Sequence, residues 1–143
     1  MKCDRLSNEE RNLLLQAAQE ARKQAYVPYS NFRIGAAILT RKGNIFTGCN
    51  IENASYSLTI CAERVAVSAA IAQEGSDNFT INAIAVVTDR KIFCSPCGAC
   101  RQVILEFGEE AVVLFQGHEG VVVEMLICEL LPYSFCFKKG IGN

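Results

Sequence analysis

Apolar positions recur at helical spacing early in the chain, at Leu13, Leu14, Ala17, Ala18 and Ala21. Ser7-Asn8-Glu9-Glu10 ahead of them has the form of a capping box, in which Ser7 and Glu10 each accept the other's backbone N–H. This helix is expected to end before Pro28. Residues 33–40 and 45–49 are apolar runs around the polar Arg41-Lys42-Gly43-Asn44, which predicts a β-hairpin. Residues 50–59 hold two Asn, two Ser and one Glu without a period. They read as a loop, whose polar side chains suit either a binding site or plain turn chemistry. Residues 61–73, rich in Ala and Val, predict a second helix stopped near Gly75. Residues 81–88 are apolar in character, with an unbroken apolar run at 83–87, as in a strand buried on both faces. A third helix is expected over 96–107, stopped by Gly108, with strands at 111–115 and 121–126 around a turn at 116–120. Residues 130–135 close the ordered part.

The order is therefore α-β-β-α-β-α-β-β. The hairpin is antiparallel, and strand–helix–strand crossovers favour parallel neighbours. These rules predict an α/β fold of three α/β/α layers around a mixed five-stranded sheet. No internal repeat, linker or low-complexity segment interrupts it. A chain of 143 residues, half of them hydrophobic, suits a single domain over 1–143 that buries roughly 70% of its unfolded surface.

A net charge of −1 gives no general attraction to nucleic acid or anionic lipid. Met1-Lys2-Cys3-Asp4-Arg5 runs into polar residues rather than a secretory signal, and no stretch has the apolar length of a membrane span. A reducing, cytoplasmic location is expected. The eight cysteines then read as metal ligands, catalytic groups or small core residues rather than disulfides. The single histidine, His118, excludes a His-rich metal site.

Ser95-Pro96-Cys97-Gly98-Ala99-Cys100-Arg101-Gln102 carries the most chemistry. Pro96 suits the first position of a helix and Ser95 suits its cap. Cys97 and Cys100 then share one face, at the positive end of the helix dipole, where thiolates are favoured. Cys61 stands in the same way at the start of the second helix. If both helices enter from one sheet edge, Cys61, Cys97 and Cys100 form a three-sulfur zinc site with a fourth, open position. Glu63 can reach across that position and move protons. Zinc with three thiolates carries a formal charge of −1. The two helix N-termini offset it, and Arg64 is placed to donate to a ligand sulfur; alternatively, Arg64 forms an ordinary surface ion pair.

Other readings of the cysteines exist. A dithiol redox pair leaves Cys61-Ala62-Glu63 unexplained. An iron–sulfur run through Cys94, Cys97 and Cys100 lacks its fourth cysteine, because Ile104 stands there. Cys94 or Cys128 could close a four-sulfur structural zinc site, although Cys94, ahead of the expected cap, should point away from the pair. Cys3, Cys49, Cys94, Cys128 and Cys136 read as structural or incidental.

The chain resembles the small, single-domain cytidine deaminases. The likeness runs from Val27-Pro28-Tyr29-Ser30-Asn31-Phe32 through Gly48-Cys49-Asn50-Ile51-Glu52-Asn53-Ala54 and Cys61-Ala62-Glu63-Arg64 to the cysteine motif and Leu130-Leu131-Pro132-Tyr133-Ser134-Phe135. It implies hydrolytic deamination of cytidine and 2′-deoxycytidine, in pyrimidine salvage, with one zinc ion per subunit of a homotetramer. It implies that Asn50 and Glu52 hydrogen-bond the ribose 3′-hydroxyl and that Phe32 packs on the nucleoside. The backbone at Ala62 and Ser95, with Glu63, would read the pyrimidine edge. The region of Ala54 and Tyr56, together with Phe135, would reach into neighbouring subunits' sites.

Overall fold

The computed structural model describes residues 6–137; Cys3 and the stretch 138–143 lie outside the described residues. Helix α1 (Asn8–Arg22) opens on the expected capping box: Glu10 N–H donates to Ser7 Oγ (3.1 Å) and Ser7 N–H to Glu10 Oε2 (2.8 Å). The hairpin strands are β1 (Ile34–Thr40) and β2 (Ile45–Cys49). They are followed by α2 (Ala62–Glu74), β3 (Ile81–Thr88), α3 (Gly98–Phe107), β4 (Val112–Gln116) and β5 (Val122–Leu126). A four-residue helix α4 (Ile127–Leu130) follows directly on β5. It was not foreseen, because one helical turn is too short to show a period.

The sheet order is β2-β1-β3-β4-β5, with β3 and β4 parallel and every other pair antiparallel. This is the expected mixed five-stranded sheet. Alternation along the strands builds two cores. Ala37, Leu39, Ala83, Ala85, Val112 and Leu114 face α1, where Leu14 and Ala18 are fully buried. Ala36, Ile38, Ile84, Val86, Val113 and Phe115 face α2 and α3. The continuous apolar run in β3 reflects burial on both faces. Among the described residues no helix is long and apolar enough to cross a membrane.

The topology fixes where the helices begin. Strand β1 is antiparallel to both β2 and β3, so β2 and β3 point the same way. Helix α2 leaves the C-terminal end of β2, and the loop into α3 leaves the C-terminal end of β3. Both helices therefore begin at one edge of the sheet. Helix α2 also lies unusually close to it: a Cβ on Gly48 would meet Ala62 O at 2.4 Å and Ala66 N at 2.5 Å. Only glycine lets the first turn of α2 touch β2 there. Gly48→Ala is expected to destabilise the fold by about 1–3 kcal/mol through overpacking and to displace the start of α2. A chemical denaturation series on the two proteins checks this; an unchanged midpoint would contradict it.

Candidate active site

Helix α3 does not begin at Pro96 behind a Ser95 cap. Cys97 is the cap residue and Gly98 the first helical residue. Ser95 is occupied elsewhere: its Oγ accepts from Arg101 Nη2 (3.0 Å), while Pro96 O accepts from Arg101 Nε (2.8 Å) and Leu130 O from Arg101 Nη1 (2.7 Å). One guanidinium thus ties the cysteine loop to α4. Helix α2 begins in the same manner, with Cys61 as its cap residue and Ala62 as its first helical residue. Neither cysteine side chain makes a capping hydrogen bond, so neither sulfur is taken up by the backbone of the helix it starts.

The sulfurs of Cys61, Cys97 and Cys100 lie within 4.8 Å of one another. Zinc–sulfur bonds of about 2.3 Å in a tetrahedron separate the sulfurs by roughly 3.8 Å. The donor set therefore fits zinc in both chemistry and spacing. Cys97 is exposed, Cys61 half-buried and Cys100 buried. The Cys61 and Cys100 side chains interact, and their pKa values move in opposite directions. The hydrogen bond from the Cys100 thiol brings Cys61 down to about 5 against the effect of burial, and Arg64 adds to the lowering. The same bond, with burial, holds Cys100 far above the ordinary thiol range. Arg64 Nη2 donates to Cys61 Sγ at 3.7 Å, the contact expected of it, and no ion pair takes its place among the described salt bridges.

Glu63, the second residue of α2, is only 4% exposed. Burial pushes its carboxyl up to about 7, and the Cys61 thiolate adds to the rise; hydrogen bonding from its own backbone and from Cys100, and the charge of Arg64, act the other way. A carboxylic acid poised near neutrality suits a group that must both take and return a proton. Cys94 is not in the sulfur cluster. It packs in the α2–α3 core, and burial, with the nearby Glu63, pushes its thiol up to about 11. Cys128 and Cys136 are exposed and outside the cluster, as is half-buried Cys49. His118 packs beside Phe93, ring centroids 5.6 Å apart.

Asn50 and Glu52 sit where β2 runs into the loop, and both are already engaged. Asn50 Oδ1 accepts from Ile34 N (2.9 Å), and its Nδ2 donates to Phe32 O (2.8 Å). Glu52 Oε1 accepts from Tyr29 N (3.0 Å) and Ser30 N (3.1 Å). Burial opposes ionisation of Glu52, but these bonds hold its carboxyl below the ordinary value. The amide keeps a second N–H and the carboxylate a second oxygen for a ligand. Phe32 is half-buried at the margin of the α2–α3 core. Ala62 is buried, while Ala54, Tyr56 and Phe135 are exposed. Tyr56 lies edge-on to Tyr29, in a short 3-10 turn (Tyr56–Leu58) within the loop. Phe135 O accepts from Gln102 Nε2 (3.0 Å). The loop-fixing roles of Arg101, Asn50 and Glu52 had no local sequence signal, because every partner except Ser95 Oγ is bare backbone.

Three cysteine sulfurs at paired helix starts, with a buried carboxyl nearby, make a donor set that could hold zinc, an arrangement of the kind found in zinc-dependent deaminases. The comparisons with known proteins agree. A model of the cytidine and deoxycytidylate deaminase zinc-binding region matches residues 8–116. The chain belongs to that family of zinc-binding enzymes. It is 46% identical over 127 residues to the cytidine deaminase of Halalkalibacterium halodurans, covering 88% of this chain and 94% of that one. The crystal structure of cytidine deaminase from Burkholderia pseudomallei superposes with a TM-score of 0.78 at 42% identity, over 91% of this chain and all of the other. That of the Mycobacterium tuberculosis enzyme gives 0.77 at 39%, over 90% and 98%. Cys97→Ser is expected to leave purified protein with substoichiometric zinc, since a hydroxyl is a poor replacement for a soft thiolate. Metal analysis by mass spectrometry checks this; full occupancy would contradict the ligand set.

Proposed function

We propose that this protein hydrolyses cytidine and 2′-deoxycytidine to the corresponding uridines and ammonia, serving pyrimidine salvage in the cytoplasm. The observation that carries the reading is the buried Glu63 acid beside three clustered sulfurs. Cys61, Cys97 and Cys100 would hold the zinc ion, which would supply Lewis acidity that brings the pKa of water to about 7. Glu63 is placed to accept a proton from the attacking water as the water oxygen adds to C4 of the pyrimidine. It then gives that proton to the ring nitrogen N3, and afterwards carries the proton of the new C4 hydroxyl to the amine; the C4–N4 bond breaks as the C4 carbonyl forms, so that water and cytidine balance uridine and ammonia. Burial of Glu63 keeps bulk water from competing for these protons.

The remaining roles are those that the family resemblance implies, and the chemistry of the site residues supports them. The free N–H of Asn50 and the free oxygen of Glu52 suit the two sides of the ribose 3′-hydroxyl. Phe32 offers an aromatic face to the nucleoside. Backbone groups at Ala62 and Ser95, with Glu63, face the pyrimidine edge. We read the chain as one catalytic domain that assembles into a homotetramer, with the Ala54–Tyr56 region and Phe135 entering neighbouring sites. Support for this comes from Tyr56, Leu58, Ile60 and Phe135, which are 77%, 61%, 41% and 75% exposed and would otherwise present bare apolar surface to water.

The test follows ultraviolet absorbance and ammonia release with zinc-loaded protein on cytidine, 2′-deoxycytidine, cytosine and blasticidin S. Turnover of the two nucleosides above the others is expected. Preference for blasticidin S would replace this reading with that of a nucleoside-antibiotic deaminase, and salt-dependent oligonucleotide binding with deamination in the strand would replace it with a nucleic-acid editor. Glu63→Ala is expected to retain zinc and lose turnover by about 10²–10⁴-fold. Near-parental kcat in that variant would remove Glu63 from the mechanism.

A further inference from the structure

Arg90 lies in the loop between β3 and α3, outside every motif singled out above. Its guanidinium Cζ stands 4.9 Å from the centroid of the Phe32 ring. Its Nη2 donates to Asn31 O at 2.9 Å and more weakly to Ser30 O at 3.5 Å. The same short segment gives two N–H groups to Glu52, and Asn31 sits in the left-handed region at φ 52°. Backbone carbonyls and N–H groups of 29–31 are thus held by opposite charges, and the ring that follows lies beneath the cation.

Arg90 is itself anchored to the cysteine side of the site. Its carbonyl accepts from Gln116 Nε2, and Gln116 O accepts from Cys94 N at 2.8 Å. Cys94 leads directly into Ser95, Pro96 and Cys97. A continuous chain of contacts therefore joins the loop that carries Cys97 to the ring of Phe32.

We propose that Arg90 is a positioning residue for substrate binding: it fixes the Phe32 ring, and the turn before it, at a set place relative to the sulfur cluster. Without it, the ring and the 29–31 turn gain freedom that the substrate must remove on binding. Cys61, Cys97, Cys100 and Glu63 are untouched, so the loss falls on KM rather than on kcat. This rests on the reading of Phe32 as a nucleoside contact.

The experiment is steady-state cytidine kinetics on zinc-loaded Arg90→Ala, Arg90→Lys, Phe32→Ala and the Arg90→Ala/Phe32→Ala double variant, with zinc content and Tm measured on each. Arg90→Ala is expected to raise KM about threefold to tenfold, with kcat within about twofold of the parent and an unchanged zinc content and Tm. Arg90→Lys, which keeps a cation over the ring but loses the planar fork, should recover part of that loss. In the Phe32→Ala background, Arg90→Ala should add nothing further. An unaltered KM in Arg90→Ala overturns the proposal. So does an additive double variant, which would mean that Arg90 touches substrate itself, or a KM change that comes with lost zinc or a lowered Tm. An unaltered KM in Phe32→Ala would instead remove Phe32 from the binding site, and Arg90 with it.

Discussion

Sulfur at the cap position of two neighbouring helices is the constraint on which this structure turns. Cys61 and Cys97 each close the first backbone ring of their helix, through Cys61 O to Val65 N (3.2 Å) and Cys97 O to Arg101 N (2.9 Å), without using the thiol as a cap. A cap residue sits beside unpaired N–H groups and the positive end of the dipole, so its sulfur is held where a negative charge is most welcome. Three thiolates around a divalent ion leave one net negative charge, which two helix ends and the Arg64 guanidinium are placed to reduce. The requirement that these two caps meet at one sheet edge is satisfied by a single feature of topology, the antiparallel pairing of β1 with both β2 and β3. Gly48 then lets the first turn of α2 lie directly on β2.

Around that centre the polar side chains serve the backbone first. Asn50 bridges Phe32 O and Ile34 N; Glu52 gathers Tyr29 N and Ser30 N; Arg101 joins Pro96, Ser95 and Leu130. Each leaves spare hydrogen-bonding capacity or a fixed loop rather than a loose side chain. A site built on such supports is preorganised, so substrate binding need not order it. On the proposed reading, the residues that fix the turn before Phe32 also face the sugar.

The sequence carried the elements and the cysteine constellation because their signals are local or periodic. The Ser7–Glu10 box, the breaks at Gly75 and Gly108 and the apolar runs on either side of Arg41-Lys42-Gly43-Asn44 need no knowledge of tertiary structure. The start of α3 was misplaced because Ser95, a good cap in isolation, binds the side chain of Arg101 instead, and the cap falls to Cys97. Helix α4 escaped because four residues give no period. The support given by Arg90 and Gln116 was invisible for another reason: its partners are distant in the chain and mostly backbone carbonyls, which any residue supplies. The sulfur cluster was inferable only by assuming that two helix starts converge, and the strand directions meet that assumption.

The central claim is a zinc ion on three cysteine sulfurs with one position left for water, and X-ray absorption at the zinc edge on the purified protein tests it directly. Three sulfur neighbours at about 2.3 Å and one lighter neighbour at about 2.0 Å are expected. A fourth sulfur, or a histidine scattering pattern from His118, would describe a closed site and contradict it.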